Sequence, residues 1–287
     1  MARRVILSII LIPVLAFIVG IDLMRSLPFF VFILALSALA ARELAALVGR
    51  IEGEAEAKRL AAGFFVPAPL FLCFSYVQVI AGLPGASLLH AAAVLALFQL
   101  FFPLLALPLH GDAREASCTI RRSLRWSLIL LSVFLYSGVL PFTIFLLRQR
   151  ERGAALVAVL FLLAWFSDAA AYFIGSFFGR TRGIVRVSPN KSVEGYAGSF
   201  ALTLGLAAFL PFVFPARFPF GFFGSLGAGL LVAIGAPLGD IGESALKRRA
   251  GVKDSSRLLP AFGGVLDIFD SVLSCAPFYL IYCSVAL

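Results

Sequence analysis

The stretch from Gly239 to Ser271 reads GDIGESALKRRAGVKDSSRLLPAFGGVLDIFDS. Asp240, Glu243, Ser244 and Lys247 fall at i, i+3, i+4 and i+7, so a helix presents them on one face. Asp267 and Asp270 lie three residues apart in an otherwise apolar run. Between these acidic groups lies a basic loop with Lys253, Asp254 and the pair Gly263–Gly264. Two carboxylate-bearing helix ends joined by such a loop suit a hard divalent cation beside a phosphate. Mg²⁺ takes one or two carboxylates and completes its shell with water and substrate phosphates, and Lys and Arg neutralise the remaining charge. Two alternatives stay open. Residues 240–257 are an ordinary basic loop, or Asp267 and Asp270 pair with a cation on a neighbouring helix.

A second polar stretch reads SDAAAYFIGSFFGRTRGIVRVSPNKSVEGYAGS from Ser167 to Ser199. Asp168 sits in a strongly apolar run, where a charge costs about 2.5–3.5 kcal/mol on insertion scales and is paired or water-facing. Gly175 and Gly179 form a small-xxx-small pair suited to close helix packing. Ser188, Lys191, Ser192, Glu194 and Gly195 offer hydroxyls, an ammonium and a glycine, the makings of a phosphate cradle, although no Walker motif occurs.

These residues need elements to hold them, and composition says which. Of 287 residues, 61% are hydrophobic and 14% charged. The mean hydropathy is +1.03. Soluble domains are about half apolar and about a quarter charged. A bilayer-crossing helix takes about 20 apolar residues. Apolar runs lie near 5–21, 28–48, 61–82, 86–109, 124–147, 153–177, 197–216, 220–239 and 265–287. The expectation is an all-α, polytopic integral membrane protein with about nine transmembrane helices. It is read as a single membrane domain over 1–287, with N-terminal helices in 1–152 and the catalytic helices and loops in 153–287. With the N-terminus in the cytosol, most of the 24 Lys and Arg fall on the cytosolic side, which predicts an N-in/C-out orientation. The net charge of +9 follows from that bias and from contact with membrane lipid, and no nucleic-acid partner is expected. Cys73, Cys118, Cys275 and Cys283 form no CxxC pair, and His90 and His110 have no ligand-spaced companions, so zinc is not expected.

The positions Ser244, Leu246, Lys247, Arg248, Lys253, Asp254, Ser256, Leu259, Pro260, Gly263, Gly264, Val265, Asp267, Phe269 and Asp270 together resemble the signature of the phosphatidate cytidylyltransferases, or CDP-diacylglycerol synthases. Upstream, Asp168, Ala171–Tyr172, Gly175, Gly179, Ser188–Pro189, Lys191, Ser192, Glu194 and Gly195 are similar to the same family. The motifs cover roughly 160–275. The chain departs at Ala261, Phe262 and Ile268, where the family usually carries Gly, His and Arg.

The resemblance implies transfer of a cytidylyl group from CTP to phosphatidate in phospholipid biosynthesis, giving CDP-diacylglycerol and pyrophosphate. Asp240, Asp267 and Lys247 would then be the catalytic residues. Asp240 and Asp267, helped by Glu243, Asp270 and Asp168, would hold Mg²⁺, with a second metal ion left open. Ser188, Lys191, Ser192, Glu194, Ser244, Arg248, Lys253, Asp254, Gly263 and Gly264 would bind substrate. A homodimer in a bacterial inner membrane, with the active site facing the cytosol, is also implied. A related lipid nucleotidyltransferase on another phospholipid and a cation transporter using Asp168, Asp267 and Asp270 remain alternatives.

Overall fold

The computed structural model describes residues 12–82, 113–215, 218–259 and 263–287. Among them there are helices and isolated bridges but no strand. After a helical stretch at 12–20 come α1 (Leu27–Glu52), the short α2 (Glu54–Arg59) and α3 (Ala61–Phe65), and α4 (Pro67–Ala81). Then follow α5 (Ala113–Phe134), a π turn at Leu135–Val139, α6 (Leu140–Arg148), α7 (Gly153–Phe178), α8 (Val193–Val213), α9 (Phe222–Arg249) and α10 (Leu266–Ala286).

Seven stretches among the described residues are long and apolar enough to cross a membrane: Leu27–Glu52, Ala61–Ala81, Ile120–Arg148, Gly153–Phe178, Val193–Val213, Phe222–Arg249 and Leu266–Ala286. The protein is therefore an all-α integral membrane protein. Seven of the nine expected spans have their counterparts here. The expected span at 86–109 lies outside the described residues, as does the first part of that at 5–21. The expected span at 61–82 is broken at Val66, after which Pro67 occupies the first turn of α4.

The described residues fall into two compact units. In residues 30–142, aromatic side chains make much of the contact. The rings of Phe71 and Phe142 lie 4.8 Å apart at a steep angle, Phe71 and Phe134 5.7 Å apart, and Phe30 stacks on Tyr76 at 4.2 Å. Arg125 Nη2 donates to Glu52 Oε1 at 2.6 Å.

The other unit joins the chain up to Phe29 with Thr143–Leu287. Arg148, at the end of α6, is buried. Its Nε donates to Val19 O at 2.8 Å and its Nη2 lies 3.8 Å from Asp22. Helix α7 packs on α8, α8 on α9 and α9 on α10, while α7 also meets α9 and α10. Small residues make these approaches close. A Cβ at Gly195 would lie 2.8 Å from Ala171 O and 3.1 Å from Gly175 Cα; one at Gly229 would collide with Ala207 Cβ; one at Gly235 would press on Cys275 Sγ at 2.9 Å. Helices in lipid gain no hydrophobic drive from meeting each other, so such packing and hydrogen bonds hold them together. Ser199 Oγ donates to Ser167 O at 2.7 Å, and Tyr282 OH to Gly224 O at 2.8 Å. Phe177, Phe223 and Val285 are about four-fifths exposed, as side chains facing acyl chains are.

The ends of these helices place the polar residues. Ser192 caps α8, its Oγ accepting from Gly195 N at 3.1 Å. The buried stripe of α9 runs through Ser225, Gly229, Val232, Ala236 and Gly239 and continues through Glu243, Ser244 and Lys247, so its polar end faces its neighbours. Lys247, Arg248 and Arg249 lie in its last turn, complementing the helix dipole, and Gly251 at φ +71° turns the chain away. Asp267 lies in the first turn of α10.

Gly229→Val should lower stability by about 1–3 kcal/mol through overpacking, read as a lower thermal midpoint in detergent. Gly205→Ala, where an added Cβ meets open space, should leave it unchanged or slightly higher.

Candidate active site

Helix α9 brings Asp240, Glu243, Ser244 and Lys247 to one face, as their spacing predicts. Lys247 Nζ lies 2.6 Å from Glu243 Oε2 and 2.5 Å from Asp267 Oδ1, so one ammonium joins α9 to the start of α10. Asp267 Oδ2 accepts three more hydrogen bonds: from Ser255 N at 2.9 Å, Ser255 Oγ at 2.8 Å and Gly264 N at 2.7 Å. Gly263 adopts φ +95°, and a Cβ there would lie 2.7 Å from Asp267 Oδ2 and 3.0 Å from Asp254 Cβ. The pair Gly263–Gly264 therefore serves Asp267, the first glycine by its backbone conformation and missing side chain, the second by its N–H.

Asp240 Oδ2 forms an ion pair with Lys191, from the loop before α8, and its Oδ1 accepts from Ser244 Oγ at 3.3 Å. The Lys191 ammonium also lies 5.5 Å over the Tyr196 ring. Burial pushes this lysine below the ordinary lysine range, against the opposing pull of the Asp168 and Asp270 carboxylates.

Deeper in the bundle, Ser271 links two acids. Its Oγ lies 2.7 Å from Asp168 Oδ2 and 3.1 Å from Asp270 Oδ1, and its N donates to Asp270 Oδ1 at 2.6 Å. Trp165 Nε1 donates to Ile268 O at 3.1 Å, so Ile268 contributes its backbone to the α7–α10 contact.

Other expected site residues hold the loops. The Glu194 carboxylate accepts from Arg180 N, Thr181 N and Thr181 Oγ1, at 3.1, 3.1 and 2.8 Å, tying down the loop after α7. Arg248 Nε donates to Val187 O at 3.3 Å and its Nη1 to Val252 O at 3.0 Å, bridging the loops before α8 and after α9. Ser188 forms a turn, its carbonyl accepting from Lys191 N at 3.1 Å. Lys253 and Asp254 are exposed on the loop after α9. Phe262 lies outside the described residues.

A pocket of about 380 Å³ opens beside this cluster, lined by Ala171, Tyr172, Gly175 and Ser176 of α7, by Arg182, Asn190, Lys191 and Ser192 of the following loop, by Gly195 and Tyr196 of α8, and by Asp240. Lys191, Ser192 and Asp240 are thus brought to one cavity. Ser255, Ser271, Tyr196 and Arg182 were not singled out by their sequence. A serine in a polar loop or beside an aspartate carries no spacing that marks it.

Among the described residues no three acidic or other ligating side chains converge into a ready-made metal cage. The donors nevertheless suit Mg²⁺: Asp240 and Asp267 are hard oxygen ligands, and each already holds a cation, the lysine ammonium, against its carboxylate.

Lys247→Met should destabilise the protein by about 3–5 kcal/mol, because it leaves Glu243 and Asp267 buried without their shared counter-charge. Thermal unfolding in detergent checks this, and adding Glu243→Gln to the same chain should recover part of the loss.

A family model described as the cytidylyltransferase family matches residues 2–286. The phosphatidate cytidylyltransferase of Bacillus subtilis (strain 168) is 42% identical over 117 residues, covering 41% of this chain and 43% of the relative. That of Haemophilus influenzae is 39% identical over 159 residues, covering 51% and 54%. The uncharacterized protein YnbB of Escherichia coli (strain K12) is 35% identical over 212 residues, covering 70% of both. The chain spans about half the length of these curated relatives. With a matching model along nearly its whole length and the motif residues gathered at the meeting of α7, α8, α9 and α10, the chain belongs to the cytidylyltransferase family.

Proposed function

We propose that this protein transfers the cytidylyl group of CTP to phosphatidate, releasing pyrophosphate and forming CDP-diacylglycerol. The observation that carries this reading is the junction of α9 and α10. Asp240 and Asp267 come from distant stretches, and each is held by a lysine beside loops rich in hydroxyls and N–H groups.

The nucleophile in this reaction is an oxygen of a phosphate monoester, whose second pKa is about 6. It is largely anionic at neutral pH and needs no general base, which agrees with the described site residues, none of which is histidine. A lipid phosphate oxygen attacks the α-phosphorus in line. The new bond joins that oxygen to phosphorus, the bond from phosphorus to the bridging oxygen breaks, and its electron pair leaves on pyrophosphate. The obstacle is the approach of two anions, so catalysis rests on positioning and charge neutralisation.

Lys191 and Lys247 supply positive charge on either side of the cluster, and Lys253 lies exposed on the adjoining loop to meet a phosphate. Asp240 and Asp267 would hold Mg²⁺, with Glu243, Asp270 and Asp168 behind them. The metal would neutralise triphosphate charge and stabilise the leaving pyrophosphate. Ser244 keeps Asp240 oriented, and Arg248 and Glu194 keep the loops in place. The site faces the cytosol of a bacterial inner membrane in this reading, since the loops flanking it are rich in basic residues.

Transfer to another phospholipid is the second reading, favoured by Ile268 standing where the related signature carries Arg. A cation pathway has less support, because the family model that matches the chain is one of cytidylyl transfer.

Purified protein in detergent, given labelled CTP, phosphatidate and Mg²⁺, should form labelled CDP-diacylglycerol and lose that activity with EDTA. Asp240→Asn and Asp267→Asn should each lower kcat by about 100-fold or more, with thermal unfolding confirming that the variants fold. Wild-type turnover in either variant removes its assigned role, and no lipid product from the unaltered protein sinks the activity.

A further inference from the structure

Arg182 is fixed at both its backbone and its side chain. Its backbone forms an antiparallel bridge with Ser192, the cap of α8. Its Nη2 donates to Gly175 O, in the last turns of α7, at 3.2 Å. It thus spans the mouth of the cleft between α7 and α8 and lines the 380 Å³ pocket with Lys191 and Asp240.

The two cations of this pocket differ in one respect. Lys191 is paired with Asp240. Arg182 makes no ion pair among the described residues, its side-chain partner being a neutral carbonyl. A guanidinium carries five N–H donors in a planar fork, so most of its hydrogen-bonding capacity and all of its charge remain for a ligand. Tyr172 lines the same cleft and is more than half exposed, and on the same helix Phe173 is more than half exposed and Phe177 77% exposed. A pocket whose lining includes a preset cation, opening beside exposed aromatic side chains, suits a phosphate carried on an apolar tail.

We propose that Arg182 is a phosphate-binding residue, its guanidinium taking the anionic oxygens of a phosphate group seated in the pocket between α7 and α8. This rests on the activity proposed above, and it adds a substrate contact that the motif residues do not include. The ligand chemistry is a phosphate, whether on the lipid head group or on the nucleotide; the exposed aromatic side chains favour the lipid. The guanidinium suits this task better than an ammonium, because its fork can engage two phosphate oxygens while Nη2 stays on Gly175.

The test uses the full chain in detergent and measures equilibrium binding of CTP and of short-chain phosphatidate separately, without turnover. Arg182→Gln should weaken binding of at least one of them about tenfold or more, with an unchanged thermal midpoint. Arg182→Lys should recover part of the affinity. Loss confined to phosphatidate identifies the lipid phosphate, and loss confined to CTP the nucleotide phosphate. Unchanged affinity for both ligands overturns the proposal. So does a loss for both accompanied by a lower thermal midpoint, which marks a collapsed loop, and so does the failure of the unaltered protein to bind either. If the unaltered protein binds phosphatidate through Arg182 but forms no CDP-diacylglycerol, the proposed activity fails while the phosphate site stands.

Discussion

Lys247 carries its charge between Glu243 and Asp267, all three nearly buried where two membrane helices meet. Charges in such surroundings persist only when they are paired and hydrogen-bonded, since desolvation costs several kcal/mol for each ion. The pairing therefore ties the ends of α9 and α10 together and fixes where an acidic group is presented. The rest of the site is arranged around it. Asp267 draws in Ser255 and Gly264, Asp240 draws in Lys191, and Ser271 carries the polar chain inward to Asp168. Polar groups that would each be costly alone become mutually supporting.

Close packing makes this arrangement attainable. Glycine and serine at the α7–α8, α8–α9 and α9–α10 contacts bring the backbones near enough for short polar side chains to reach across. Phe177, Phe223 and Val285 are turned outward. Packing and capping overlap at Gly195, which packs on Ala171 and Gly175 while its N–H satisfies the capping Ser192. Substitutions there would disturb the cleft and the cap together.

Much of this was legible in the residue order. The spacing of Asp240, Glu243, Ser244 and Lys247 foretold their shared face, because a helix repeats every 3.6 residues. Apolar runs foretold the helices, though not the break at Val66 or the π turn at Leu135–Val139, since hydropathy is blind to local winding. Partnerships were not legible. Arg248 has the sequence look of a phosphate ligand, and its bonds to two loop carbonyls could not be read there. Glu194 looks like a substrate contact, yet it holds the backbone at Arg180 and Thr181. Sequence gives the type of a charged group, and only three-dimensional proximity decides what it meets. Ser255 and Ser271 were hidden for the same reason.

The triple acceptance by Asp267 Oδ2 has one more implication. A single carboxylate oxygen fastens Ser255 on one side and Gly264 on the other, and Leu259 and Gly263 exchange backbone hydrogen bonds within that span. The span is thus closed twice over, and Gly263 belongs to both closures, since a Cβ there would lie 2.7 Å from the same Asp267 oxygen.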